Sequence, residues 1–414
     1  MTHAIAVIGA NFGDEGKGLA VDHFVRCFKS PLVARCNGGA QAGHTVVAGE
    51  NHHVFGHVAA GTFAGASTYL SSAFIINPPV LTREIAKLDV FPQVFAHPDC
   101  RVTTIYDVAI NSLAELARED RHGSCGLGIN ETVTRHAAGF FLTLANIKTN
   151  SLAIRHITER IRDEWVPQRM IALGLSRKSF ANKSEAVNQR AAMYLDALFT
   201  DPDKVAADLI NNSLHIIMTD VKQEISFNDT VVIEGAQGLM LDEFLGEFPH
   251  VTRSVTGLAS SVRAAAECGK LTITPVYMTR SYLTRHGAGA LPYEGEEITD
   301  GQLHDLTNVT NPWQGTLRYS PLDVKAMKKF IDADILRGEL TAQLYGVTVK
   351  PAQLFVTCMD QLGDFVAVMN LEGVLEKMTP EHLPFYLGDA LGLDVYASSH
   401  GPSNNCVLYR KAVV

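Results

Sequence analysis

Between a short apolar run, Ala4 to Gly9, and a segment with helical spacing, Leu19 to Phe28, lies the stretch Gly9-Ala10-Asn11-Phe12-Gly13-Asp14-Glu15-Gly16-Lys17-Gly18. Glycines let a backbone approach phosphate oxygens, and a helix N-terminus turns N–H groups and partial positive charge towards them. Lys17 can reach outer phosphates as a point charge. The loop is nevertheless not a standard P-loop. Its Gly-to-Gly-Lys spacing is two residues too long, and Gly18 stands where a Ser or Thr would hold Mg2+. Acidic Asp14 and Glu15 are costly in an anion-binding loop unless a cation or a proton transfer accounts for them. The competing reading is a tight glycine turn with solvated charges.

A strand, a glycine loop and a helix in that order open a nucleotide-binding α/β unit, and four more apolar runs read as buried strands: Leu32 to Arg35, Thr230 to Ile233, Leu271 to Met278 and Leu354 to Thr357. Each leads into a loop rich in Gly or polar residues. Ligands of α/β sheets gather at the carboxyl ends of the strands, so these loops are expected to converge. The pattern from Arg177 to Ile225 is helical and reads as an insertion covering the sheet. With neither an internal repeat nor a low-complexity linker, residues 1–414 are expected to form a single α/β domain around a largely parallel twisted sheet, with the helical insertion at about 177–225.

The chain is 46% hydrophobic and 19% charged, which argues for a sizeable core and against disorder. A net charge of −9 disfavours a sequence-blind nucleic-acid binder, which needs clustered Lys and Arg. The seven cysteines are scattered without a Cys-x-x-Cys pair, against a zinc site or a disulfide framework. No signal peptide and no run of about 18 apolar residues is read, so a soluble cytoplasmic protein with no membrane partner is expected.

The first loop resembles the opening of adenylosuccinate synthetases, whose hallmark is Gly-Asp-Glu-Gly-Lys-Gly. Four further stretches are similar to that family and run in its order: Arg35 to Thr45, ending Gly43-His44-Thr45; Glu234-Gly235-Ala236-Gln237-Gly238 with Leu241-Asp242; Thr284-Arg285-His286-Gly287-Ala288-Gly289; and Ser399-His400-Gly401-Pro402. The resemblance spans nearly the whole chain. It implies an Mg2+-dependent C–N ligase that joins aspartate to IMP with GTP as phosphoryl donor, working as a homodimer.

The chemistry explains the residue types. A purine 6-oxo group leaves poorly until phosphorylation turns it into phosphate, which an amine can displace. That requires a base for the N1 proton, an acid or cation beside the leaving diphosphate, and Mg2+ across the phosphates. By resemblance, Asp14 would be the base and a metal ligand, His44 the acid, the Gly43 carbonyl a second ligand, Lys17 a phosphate contact, and Gln237 a support for the 6-oxygen. The donor would meet Gly13, Glu15, Gly16, Lys17, Gly18, Gly43, Thr45, Asp360, Ser399, Gly401 and Pro402. The acceptor nucleotide would meet Gln41, Ser124, Cys125, Gln237 and Thr252, with Arg135 the nearest match to an arginine that the family borrows from the partner subunit. His57 matches a second family histidine, with a functional and a packing reading in balance.

Two departures bear on substrate. The family's guanine strand ends Thr-Lys-x-Asp, whereas this chain has Thr357-Cys358-Met359-Asp360. The carboxylate that selects guanine is kept and the lysine over the ring is lost, which leaves ATP or a deoxynucleotide as an alternative donor. The amino-acid loop, normally an Arg run, is Thr310 to Tyr319 here and keeps only Arg318, with Arg285 and Arg253 as possible helpers. The phage branch that makes a 2-aminoadenine precursor from dGMP and aspartate supplies an alternative acceptor, although its first loop lacks the acidic residue kept here as Asp14. A regulatory GTP-binding protein and an inactive relative are the rival classes.

Overall fold

The computed structural model describes residues 3–29, 31–119, 126–219, 230–305 and 315–409. Its centre is an 11-stranded sheet. From one edge the order is Val407–Tyr409, Asp394–Ser399, Gln353–Thr357, Thr272–Arg280, β1 (His3–Gly9), Thr230–Gly238, β2 (Leu32–Arg35), Ser67–Leu70, Val94–Ala96 and Ile216–Met218, with Thr348–Val349 pairing beside Thr272–Arg280. Every neighbouring pair runs parallel except the last one at the Val407–Tyr409 edge, which is antiparallel. The continuous apolar runs noted in the sequence are what a strand covered on both faces needs. Alternate residues of β1 serve opposite cores. Ala4, Ala6 and Ile8 pack with Leu258, Val262 and Leu354, while Ile5 and Val7 pack with Val21, Phe24 and Phe355.

The helical segment is larger than expected. Helices begin at Ile105–Ala117 and continue through Pro202–Asn212, with a core of their own around Tyr106, Leu113, Trp165 and Leu209. The segment also returns to the sheet, because Ile216–Met218 adds a parallel edge strand beside Val94–Ala96. A strand of three residues gives no periodicity to read, which is why a wholly helical stretch to Ile225 was expected.

Candidate active site

The phosphate-type loop leaves β1 and enters α1 (Lys17–Val25) through Gly13 and Gly16, whose φ angles of 122° and 81° suit glycine. Gly16 caps the helix without a side-chain acceptor, so the first N–H groups of α1 are not consumed by a cap. Glu15 braces the loop from inside. Its carboxylate accepts from the N–H of Asn11 at 3.0 Å and of Gly13 at 2.8 Å, and pairs with Lys17 at 2.8 Å. Lys17 is buried and also donates to the Gly13 carbonyl. As placed, Lys17 serves the loop, and a phosphate contact requires it to exchange these partners for a phosphate oxygen. The Glu15 carboxylate, which looked costly in an anion-binding loop, is therefore balanced within the loop by Lys17 and two N–H groups.

The same loop meets three other strand ends at its glycines. A Cβ on Gly13 would lie 3.2 Å from the Cα of Gln237, one on Gly16 would lie 3.2 Å from the Thr357 methyl, and one on Gly18 would lie 2.6 Å from the Thr45 carbonyl. This explains the missing P-loop hydroxyl. The backbone of His44–Thr45 occupies the space that a Ser or Thr side chain would need at position 18. Thr357 completes the clasp by donating to the Glu15 carbonyl at 3.1 Å.

His44 opens the hairpin of β3 (His44–Ala48) and β4 (Asn51–Phe55). Its Nδ1 makes a short hydrogen bond to the buried Glu234 carboxylate, and its Nε2 is buried without a partner. Burial lowers the His44 pKa, outweighing the opposing charge of Glu234. For Glu234, burial disfavours the charge, but Arg35 at 3.8 Å and His44 hold its pKa below the ordinary carboxylate value. The two directions agree on a neutral imidazole bound to a carboxylate, with Nδ1–H donated and Nε2 left as the reactive nitrogen. Glu234 is the residue that sequence reasoning missed as a site group. It was visible in the Glu-Gly-Ala-Gln run, but its partner lies 190 positions away.

Gln237 sits near the end of strand Thr230–Gly238, where pairing with β1 slips between Val7 and Gly9. Its φ of 65° is unusual for a side-chain-bearing residue and marks a backbone held by its surroundings. Asn37 helps to hold it, exchanging hydrogen bonds with the Ala236 backbone at 2.8 and 3.2 Å. Asn37 also reaches Ser254 at 3.0 Å, which ties the second glycine loop to the loop carrying Thr252. Gln41 lies beside Gly38 and Gly39 on that second loop. Ser124 and Cys125 lie outside the described residues, as do residues 310–314 of the amino-acid loop.

Arg135 does not fit the borrowed-arginine expectation. It is fully buried, pairs with Asp107 at 2.9 Å, and donates to the carbonyls of Phe140 and Val102 at 2.7 Å each. A guanidinium spent this way holds its own subunit together and is not available to cross to a partner. His57 takes the packing reading as well. It is fully buried, accepts from the Asn77 N–H at 2.9 Å, and lies 3.6 Å from Glu84.

Asp360, expected to meet the donor base, is exposed just beyond strand Gln353–Thr357. Ser399 ends the adjacent strand and donates to the Gly401 carbonyl at 2.7 Å, with exposed Pro402 next in the chain. This C-terminal loop is tied to α1 through His23, whose Nδ1 lies 2.6 Å from Asn404. Cys358 takes a left-handed φ of 61°, and burial pushes its thiol pKa up.

On the amino-acid side, Arg285 and Arg318 are direct cross-strand partners in the pair Leu283–Arg285 and Arg318–Ser320. Arg285 is buried against the Phe12 ring, 4.3 Å away, and burial together with Arg318 pushes its pKa down to about 10. Arg318 pairs with Glu294 at 2.8 Å and donates to the Gly287 and Gly289 carbonyls. Arg253 is held by Glu243 at 2.8 Å.

Asp14 is partly exposed, and its backbone carbonyl accepts from Arg280. Gly43 is exposed and Asp14 partly so, and a carboxylate and a backbone carbonyl are both oxygen donors of the kind Mg2+ takes alongside waters and substrate phosphates. Among the described residues no cluster of three or more His, Cys, Asp or Glu could hold a metal ion by itself. No helix among them is long and apolar enough to cross a membrane.

The chain is similar to known proteins of one family. A family model described as adenylosuccinate synthetase matches residues 6–312. The adenylosuccinate synthetase of Chlorobium limicola is 26% identical over 378 residues, covering 88% of this chain and 78% of that protein. That of Methanococcoides burtonii is 27% identical over 335 residues, covering 78% and 74%. Among solved structures, the fully ligated adenylosuccinate synthetase from Plasmodium falciparum superposes with a TM-score of 0.69 at 17% identity, covering 98% of this chain and 99% of the other. The cyanophage S-2L succinoaminodeoxyadenylate synthetase (PurZ), bound to dGMP and dATP as an energy donor, gives 0.59 at 15% identity, covering 99% and 95%. The chain belongs to the adenylosuccinate synthetase family, and with it to the C–N bond-forming ligases.

Proposed function

We propose that this ligase couples aspartate to the 6-position of a purine monophosphate, IMP, at the expense of GTP and with Mg2+. The observation that carries this reading is the closure of one loop on three others: Gly13 on Gln237, Gly16 on Thr357 and Gly18 on His44–Thr45. That closure sets the backbones around Asp14, His44 and Gln237 against one another beside the open N-terminus of α1, which supports the reading.

In this mechanism Asp14 takes the N1 proton as the 6-oxygen attacks the γ-phosphorus. His44, oriented by Glu234, takes up a proton at Nε2 when the anionic donor binds, and donates from Nε2–H to the leaving diphosphate oxygen as charge develops. Gln237 steadies the 6-oxygen. When bound, Mg2+ would be held by Asp14 and the Gly43 carbonyl and would neutralise charge across the phosphates. The aspartate amine then displaces phosphate from C6. Gln41 and Thr252 serve the acceptor, Asp360, Ser399, Gly401 and Pro402 the donor base, and Arg318 and Arg285 the aspartate carboxylates.

The reading includes a cytoplasmic homodimer. A second reading takes GMP or dGMP as acceptor with ATP or dATP as donor, and one observation favours its donor. Cys358 stands where the family carries the lysine that covers the guanine ring, and its side chain is drawn into the interior beside Arg280. Incubation with a panel of purine monophosphates, donors and amino acids, read by product mass, decides between them. A succinyl adduct of IMP made with GTP supports the first reading. An adduct of GMP or dGMP made with ATP or dATP supports the second.

A further inference from the structure

His286 ends one arm of the site and faces another. Its Nε2 lies 3.6 Å from Asp14 Oδ2, and its Nδ1 is buried without a hydrogen-bond partner among the described residues. The turn that delivers it is rigid. Gly287 is left-handed with φ 76°, Arg318 donates to the carbonyls of Gly287 and Gly289, and Arg285 donates to that of Ala290 at 2.7 Å. A side chain on Gly289 would run into the Arg285 guanidinium. On the other arm the Asp14 backbone is fixed by Arg280, and His286 is the basic side chain within 4.0 Å of its carboxylate among the described residues.

We propose that His286 is a positioning residue for Asp14. Its Nε2–H takes one carboxylate oxygen and so turns the other towards the N1 proton of the acceptor. The proposal rests on the reading of Asp14 as the base. A separation of 3.6 Å is too long for a hydrogen bond, but such contacts at catalytic groups are often long in the free protein and tighten with substrate. A small rotation of the Asp14 side chain closes the gap. Because Arg318 grips the turn that carries His286, the strand that faces the amino acid and the aim of the base form one mechanical unit.

The test compares wild type, His286→Ala and His286→Gln in the full chain. His286→Ala lowers kcat by roughly tenfold or more, since it removes only the aim of a base that itself contributes about 10²–10⁴-fold. KM for both nucleotides stays within about twofold of wild type, because a positioning contact acts in the transition state. His286→Gln, with an amide N–H of similar reach, recovers part of the loss. A crystal structure of His286→Ala with the acceptor nucleotide bound shows the Asp14 carboxylate turned from its setting in wild type with the same nucleotide. An unchanged kcat, or Asp14 unmoved in that crystal structure, overturns the proposal. Wild-type protein that makes no adduct overturns the reading of Asp14 as base, and the crystal structure then still decides the contact.

Discussion

His44 and Glu234 form a buried pair in which Nδ1–H is donated to the carboxylate and Nε2 is left without a partner. A carboxylate in that position fixes the tautomer and the ring orientation, so the nitrogen facing the phosphates is always the same one. Glu234→Gln keeps the shape but removes the negative charge that steadies the ring when Nε2 is protonated. We expect kcat to fall by about 10²-fold or more, the range for disabling a general acid, with the KM for the donor nearly unchanged. Steady-state kinetics at saturating acceptor check this, and a raised donor KM with unchanged kcat would make the pair a binding element only.

The absence of a P-loop hydroxyl has a steric cause that can be tested. Restoring it as Gly18→Ser places a Cβ 2.6 Å from the Thr45 carbonyl, which is backbone and cannot move aside cheaply. The variant is expected to lose thermal stability and to push the His44 hairpin off α1, with activity falling rather than rising. A Gly18→Ser protein with wild-type melting temperature and full turnover would show that the close packing is not a constraint.

In the proposed function donor choice rests on Asp360, exposed just beyond its strand. A carboxylate accepts from guanine N1–H and the 2-amino group and finds no such donors on the same edge of adenine. GTP is expected to be preferred, and Asp360→Asn is expected to shift preference towards xanthine nucleotides. Competition between GTP and ATP in one reaction measures it. ATP used as well as GTP would favour the second reading and make Cys358 the residue of interest.

Arg318 holds Glu294 and the carbonyls of Gly287 and Gly289, and in the proposed function it also meets an aspartate carboxylate. Removing one member of a desolvated charge pair costs about 2–5 kcal/mol, so Arg318→Leu is expected to weaken aspartate use by at least about 30-fold. Donor and acceptor affinity is expected to hold, because their loops are elsewhere. Isothermal titration with each nucleotide separates these effects, and an unchanged aspartate KM would remove Arg318 from amino-acid recognition.

Stability is expected to fall as pH drops through 6.5. Burial lowers the pKa of His136 to about 3, with Arg135 and Arg101 adding to it, and burial also lowers those of His44 and His23. A histidine with a depressed folded pKa binds fewer protons folded than unfolded, so its contribution is present above 6.5 and is lost as pH falls below it. Asp334 opposes this only below about 6, where burial has raised its carboxyl. Urea midpoints measured from pH 7.5 to 5.5 should decline, and His136→Gln should flatten the slope. A flat wild-type profile would contradict it.

What the sequence made legible was local. The strand Leu32–Arg35 has the bounds that its apolar run suggested, and β1, Thr230–Gly238, Thr272–Arg280 and Gln353–Thr357 all contain their predicted runs, apart from Leu271, one residue before its strand. Buried parallel strands announce themselves by continuous apolar residues, and the glycine loops by spacing. The partnerships were hidden because they are long-range. Nothing near His44 announces Glu234, nothing near Asp14 announces His286, and Arg135 looked like a reaching arginine until Asp107 was seen to hold it. Lys17 and Glu15 show the same limit within a single loop. Their order in sequence suggested phosphate contacts, and only the fold shows them paired with each other.

The central claim is that the 6-oxygen leaves as phosphate, with Asp14 freeing it to attack. Turnover of acceptor carrying 18O at the 6-position, with GTP, aspartate and Mg2+, tests this directly when the inorganic phosphate is analysed by mass. The account predicts one 18O in the phosphate for each succinyl nucleotide formed, and no labelled phosphate from Asp14→Asn beyond a residual rate lower by about 10²–10⁴-fold. Succinyl nucleotide formed with unlabelled phosphate would contradict it, because the oxygen would then have left without ever being phosphorylated.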